Sequence, residues 1–309
     1  MLGLIMRPRL IRWNLYLGIG IMAISIGLLS ADISFMRTWF YLFAWWPFIL
    51  VIDSVNYRLT GASLLLEPHS EFLFMAFVSV SVWLIFELFN LRLDNWSYHD
   101  LPDSLIERWL GYFLAFSSVI PALCVLARFF GSLLPKHRPS FFRMHSGVGL
   151  RRALVGAGLV CLAAAVIWPR LFFPGVWLGF VALLDPVNYA LGNPSILRDL
   201  EVQNGTRLWS WLAAGLTAGF FWELFNFWAG SHWEYSLPYF EFGRVFQMPI
   251  LGYLGFPPFA LEVMAMYGIL AYARRRWGRR TQWRLALGLL LLAWDAGVFV
   301  LLDKLTRVR

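Results

Sequence analysis

Runs of about twenty mostly apolar residues follow one another along this chain, and the short segments between them carry most of its charge. A helix of that length spans the roughly 30 Å hydrocarbon core of a bilayer. Inside hydrocarbon only helices and closed barrels satisfy every backbone amide. The runs are continuous and do not alternate with period two, so a barrel is not expected. Nine spans are expected, over 13–30, 38–57, 72–92, 109–130, 150–168, 171–191, 207–229, 249–272 and 284–302. The fold class is therefore all-α, a polytopic membrane helix bundle. With 60% hydrophobic and 14% charged residues, the composition excludes an ordinary soluble domain. The opening "MLGLIMRPRLIRW" has basic residues before its apolar run and no small-residue cleavage site, and reads as a retained first helix.

Charge sets the orientation. Basic residues gather at 128–152 and in "RRRWGRRTQWR" at 274–284, two segments that lie between spans on the same side. That asymmetry places them and the N-terminus in the cytoplasm, and the odd helix count puts the tail with Lys304, Arg307 and Arg309 outside. No soluble basic domain accompanies the net charge of +8, so nucleic acid is not an expected partner. Cys124 and Cys161 lie inside apolar runs, which argues against disulfides and a cysteine metal site. The five histidines form no i, i+4 ligand pair within a span, and Walker, GxGxxG and GxSxG motifs are missing. Neither a metal nor a cofactor is expected.

The sequence also repeats itself. "DSVNY" at 53–57 returns as "DPVNY" at 185–189, each with a tryptophan eight residues earlier, Trp45 and Trp177. "ELFN" at 87–90 returns at 223–226, Trp96-x-Tyr98 as Trp233-x-Tyr235, Leu101-Pro102 as Leu237-Pro238, and Leu110-Gly111-Tyr112 as Leu251-Gly252-Tyr253. The offset grows only from 132 to 141. Two tandem four-helix repeats are expected, 1–148 and 149–273, followed by a basic loop and ninth helix over 274–309. Four helices per unit is an even number, so both copies run parallel, related by an axis along the membrane normal.

Within each copy polar groups recur at helical spacing. Asp53, Asn56 and Tyr57 share a helix face, as do Asp185, Asn188 and Tyr189; Glu87 pairs with Asn90 and Glu223 with Asn226 at i, i+3. A carboxyl group in hydrocarbon faces the bundle interior, paired or protonated, and an amide one turn away suits it as a partner. Such pairs also tie helices together, and that reading stands beside the functional one. Trp96, Tyr98, Trp233 and Tyr235 fall just past helix ends, as interfacial aromatics or as a lid over the bundle. The second copy alone has an extra acid, Glu262, after a Pro257-Pro258 break expected to line a cavity. Asp295, mid-span in the ninth helix, is expected either to pair helices or to face that cavity.

Tryptophans at 45, 46, 83, 177, 211 and 222 lie within spans. Their faces stabilise cations, and a desolvated carboxylic acid keeps its proton until a strong base arrives. Together they suit protonation of an apolar polyene. The segments Trp222-Glu223, Trp233-x-Tyr235 and Pro258-Phe259-Ala260-Leu261-Glu262, in that order over about forty residues, resemble the lycopene cyclase domain, a duplicated bacterial membrane unit. Glu replaces that family's Asp, and a single Glu262 stands for its paired glutamates. The chain also resembles duplicated bacterial integral-membrane proteins with "WE-x-x-N", W-x-Y and "GFPPFALE" segments, a likeness that implies no function. These resemblances imply a bacterial inner membrane.

Two functions follow. One is a membrane enzyme acting on an isoprenoid, carotenoid or other lipid by acid catalysis. Glu223 or Glu262 would be the acid, Asn226 its hydrogen-bond partner, and Trp222 and Trp233 the cation-stabilising wall. Tyr235, Asp185, Asn188, Tyr189, Asp53, Asn56, Glu87 and Asn90 complete the candidate substrate site. The other is a proton-coupled transporter, for which acids at two depths suit a relay. A non-catalytic subunit of a membrane complex is a third reading.

Overall fold

A computed structural model describes residues 2–66, 69–140, 143–239, 242–277 and 280–307, with only the backbone of 2–9 and 69. Helix α1 (Leu2–Ser30) turns back at Asp32 into α2 (Ser34–Thr60), and the two pack along their length. Asp32 takes a left-handed φ of 57°, which Asp tolerates better than most residues, and its carboxylate accepts from Arg37 at 2.7 Å. Helix α3 (His69–Leu93) leads into a short strand, β1 (Trp96–His99). The fourth expected span is two helices, α4 (Leu105–Phe116) and α5 (Val119–Leu133). At the joint the hydroxyls of Ser117 and Ser118 turn back onto the carbonyls of Leu114 and Ala115, competing with the helical ladder.

The chain continues through α6 (Val148–Ile167), α7 (Pro169–Phe172), α8 (Val176–Leu191), α9 (Ile196–Glu201) and α10 (Thr206–Trp228). Strand β2 (His232–Tyr235), a two-residue ladder of β3 (Arg244–Val245) with β4 (Met248–Pro249), and a 3-10 segment Ile250–Gly255 precede α11 (Phe256–Trp277) and α12 (Thr281–Leu305). Among the described residues eight spans are long and apolar enough to cross a membrane, α4 counting with α5 and α7 with α8. The protein is a multi-pass helical bundle. Helix α10, at the seventh expected span, falls outside those eight. Its tryptophans, Glu223 and Asn226 lower its hydropathy, and it can carry them because it packs inside the bundle against α5, α11 and α2.

Small residues let these helices approach. A Cβ on Gly158 of α6 would stand 2.6 Å from the Gly179 carbonyl of α8. On α10, Gly215 and Gly219 are one turn apart and both face the start of α11, where a Cβ would meet the Phe256 carbonyl at 2.4 Å and the Phe256 ring at 2.1 Å. This Gly-x-x-x-Gly face suits close helix packing in a membrane. The break expected at Pro257-Pro258 is a change of helix type. The span Ile250–Trp277 passes from its 3-10 segment to α11 at Phe256. The prolines sit in the first turn of α11, where a missing N–H costs nothing, and Phe256 and Pro258 line a cavity.

The bundle has two distinct ends. One carries β1, β2 and the end of α12, with Thr306 accepting at its carbonyl from the amide of Tyr98 at 2.9 Å. The other gathers the basic segments, where Arg274 bonds Glu71 at 2.9 Å and Arg275 bonds Asn193 at 3.0 Å. Glu201, in α9 at this end, accepts from the amide and hydroxyl of Ser146 and from Tyr189 at 2.8 Å. Those bonds hold its carboxyl well below the ordinary range, at about 2.

Candidate functional site

The two W-x-Y segments pair with each other. Strands β1 and β2 run antiparallel, with Trp96 opposite Tyr235 and Tyr98 opposite Trp233. Each is anchored by the asparagine one turn before the end of the preceding helix. Asn90 donates to the Trp96 carbonyl at 2.8 Å and accepts from the amides of Asn95 and Trp96 at 2.9 and 3.1 Å. Asn226 donates to the Trp233 carbonyl at 2.8 Å and accepts from its amide at 2.9 Å. This corrects the expectation that Asn226 partners Glu223. Both asparagines clamp the backbone that leaves the helix, a role their helical spacing to a glutamate conceals.

The strand aromatics are the partners of the carboxyl groups instead. Glu87 is fully buried, and its Oε1 accepts from Tyr98 Oη at 2.5 Å, Trp83 Nε1 at 2.8 Å and Trp96 Nε1 at 3.2 Å. Glu223, also fully buried, accepts from Tyr235 Oη at 2.8 Å. The second oxygen of each glutamate has no partner among the described residues. Burial, and then the neighbouring carboxyl group, pushes the phenols of Tyr98 and Tyr235 well above the ordinary range, so both keep their protons.

Behind the paired strands lies a cavity of about 380 Å³. Its walls are rich in aromatic rings, among them Trp83, Trp96, Tyr98, Trp222, Trp233 and Tyr235. Trp83 and Trp222 approach to 5.0 Å between ring centroids, and Tyr41 meets Trp233 edge-on at 5.3 Å. Neither glutamate lines the cavity itself. Each reaches it through the hydroxyl of a lining tyrosine. Leu178, Leu251 and Leu254 also line it, and all three are exposed side chains.

The lining residues that gave no sequence signal include Tyr41, Asn95 and Arg108. Arg108 donates to both oxygens of Asp303 on α12, at 2.6 and 2.9 Å, and to the carbonyls of Pro102 and Asp103. Trp109 and Tyr112 also donate to Asp303. A charge-pair motif split by 195 positions cannot be found by local spacing.

The remaining candidates lie outside the cavity lining. Glu262 is fully buried, with Oε1 accepting from the amide of Phe180 at 2.9 Å; it ties α11 to α8 and shares no cavity with Glu223. Asp53 accepts from the Ser63 hydroxyl and the amides of Leu64 and Leu65, and Asp185 from the Ser195 hydroxyl and the amides of Ile196 and Leu197. Each carboxyl thus fixes the turn after its own helix, where free amides cluster. Asn56 donates to the Val125 carbonyl and Asn188 to that of Ala265, both at 2.8 Å. Tyr189 bonds Glu201 and lies beneath the guanidinium groups of Arg151 and Arg198. Asp295 accepts from Ser81 at 2.7 Å and so pairs α12 with α3.

Among the described residues no group of three His, Cys, Asp or Glu could hold a metal ion. Comparison with family models, with curated proteins and with solved structures found no match to this chain.

Proposed function

We propose that this protein is a membrane enzyme that binds an isoprenoid or similar lipid in the aromatic cavity and isomerises it by proton transfer. The observation that carries the reading is the pair of buried carboxyl–tyrosine couples, Glu87–Tyr98 and Glu223–Tyr235, whose phenols line one cavity. For transfer the hydrogen bond seen here reverses, the tyrosine turning its O–H from the glutamate Oε1 toward the cavity. The protonated carboxyl passes its proton to the tyrosine oxygen as the tyrosine gives its own to a substrate double bond. The π pair forms the new C–H bond, leaving a carbocation on the neighbouring carbon. Indole faces such as those of Trp83 and Trp222 stabilise that cation. Closure onto a second double bond and loss of a C–H proton back through tyrosine restore the carboxyl. Atoms and electrons balance within an isomerisation, and no cofactor enters.

In this reading the chain has nine spans and two parallel four-helix repeats, with the basic end in the cytoplasm of a bacterial cell and the cavity toward the outer side. Matching contacts support the duplication. Trp45 meets Trp222 at 6.2 Å and Trp177 meets Phe86 at 6.0 Å; Phe48 meets Phe225 at 6.1 Å and Phe180 meets Phe89 at 5.7 Å. The likeness to lycopene cyclases extends to Trp222-Glu223 and Trp233-x-Tyr235 beside the cavity, while Glu262 plays a packing role. Transport is the weaker reading. Its relay needs acids at two depths that can change partners, and Asp53 and Asp185 are each committed to three donors. The test is lipid extraction from cells with and without the protein. An altered isoprenoid profile that depends on Glu223 is expected, and an unchanged profile overturns the enzyme reading.

A further inference from the structure

The polar groups in the cavity wall bear on what occupies it. Asn95 stands where the chain leaves α3 for β1. Its backbone amide donates to Asn90, and its carbonyl accepts from Ser236. Asn95 is one of the residues around the cavity, its side chain is fully buried, and neither the amide oxygen nor the amide nitrogen has a partner among the described residues. An isolated buried carboxamide is among the costlier groups to leave unsatisfied, and it offers two donors and an acceptor. A pure hydrocarbon would leave it unsatisfied.

The charged groups in the wall narrow the ligand further. Arg108 is engaged with Asp303 and two carbonyls. His232 has one ring nitrogen 2.6 Å from the Gly230 carbonyl and the other 3.3 Å from Glu234. A phosphate or carboxylate head group would thus enter this wall without a free cation to meet it.

We infer that the cavity takes an uncharged lipid whose polar end is a hydroxyl group, hydrogen-bonded to the side-chain amide of Asn95. The hydroxyl donates to Oδ1 or accepts from Nδ2, and the hydrocarbon tail lies among the rings. This rests on the reading of the cavity as a lipid site and names the substrate class within it.

The test uses the full-length protein in nanodiscs and measures binding of a polyisoprenoid alcohol, its parent hydrocarbon and its monophosphate. Wild type should favour the alcohol over both, and Asn95→Leu should weaken alcohol binding about tenfold while leaving the hydrocarbon unchanged. Ligand-free thermal stability provides a second measurement. Because the amide bonds nothing among the described residues, Asn95→Leu should melt no lower than wild type. A lower melting temperature makes Asn95 a structural residue and overturns the inference. So does equal affinity for alcohol and hydrocarbon, which leaves the lipid site intact, and so does preference for the phosphate. Binding of none of the three overturns the lipid site and this inference together.

Discussion

Gly219 of α10 stands so close to Phe256 of α11 that a single Cβ would lie 2.1 Å from the phenylalanine ring. Phe256 also lines the cavity and stacks on Trp222 at 6.3 Å. Gly219→Ala therefore has to move a wall of the proposed site. It should destabilise the protein by about 1–3 kcal/mol, the cost of overpacking, and reduce lipid turnover along with it. Thermal melting in detergent and the lipid profile are the two measurements. A variant with unchanged melting would show that α10 and α11 have room to part.

Glu223 and Glu87 should respond differently to loss of the proton. Glu223→Gln keeps the acceptor for Tyr235 but cannot deliver a proton, so turnover should fall at least 100-fold with the fold intact. Glu87→Gln should cost less, because Oε1 of Glu87 accepts from three donors whereas that of Glu223 accepts from Tyr235. If both residues were only helix ties, each change would cost about 0.6 kcal/mol and no activity. Equal and complete loss in both variants would favour a symmetric relay.

Tyr235→Phe separates the relay from the acid. It keeps the ring and removes the hydroxyl through which Glu223 reaches the cavity. Turnover should drop about as far as in Glu223→Gln, and the double variant should be no worse than either alone. Additive losses would mean that the two side chains act separately.

Asp185 should behave as a structural residue. Asp185→Ala leaves the amides of Ile196 and Leu197 and the Ser195 hydroxyl without their acceptor. Losing a buried, multiply bonded carboxyl should destabilise by about 3 kcal/mol or more. A stable but inactive variant would return Asp185 to the substrate site.

Glu201 gives a pH signature at the basic end. Its folded value of about 2 lies below the ordinary 4.5, so its bonds stabilise the fold fully above pH 4.5 and lose that effect as pH falls toward 2. Glu201→Gln should melt lower than wild type at neutral pH, with the gap closing across that window. A gap independent of pH would assign the effect to shape and not to charge.

What could be read from the sequence was whatever local order encodes. The apolar runs locate the helices, and the recurring "ELFN", W-x-Y and "DxVNY" strings locate the polar groups. Partner identity is another matter. Asn226 lies one turn from Glu223 yet bonds Trp233, because the chain bends back at Ala229 and brings its own backbone within reach. Glu262 has the surroundings of a catalytic acid, but what it meets is the backbone amides of Phe180 and Val181 on another helix. Asn95 has no motif at all, and its significance comes only from what fails to surround it.

The exposure of the lining residues Leu178, Leu251 and Leu254 has a consequence for supply. These side chains line the cavity and are exposed, so in the proposed lipid site a molecule would exchange with the surrounding acyl chains by sideways diffusion. It need never be hydrated on the way. Occupancy would then follow the mole fraction of the lipid in the leaflet, and aqueous solubility would be irrelevant to it.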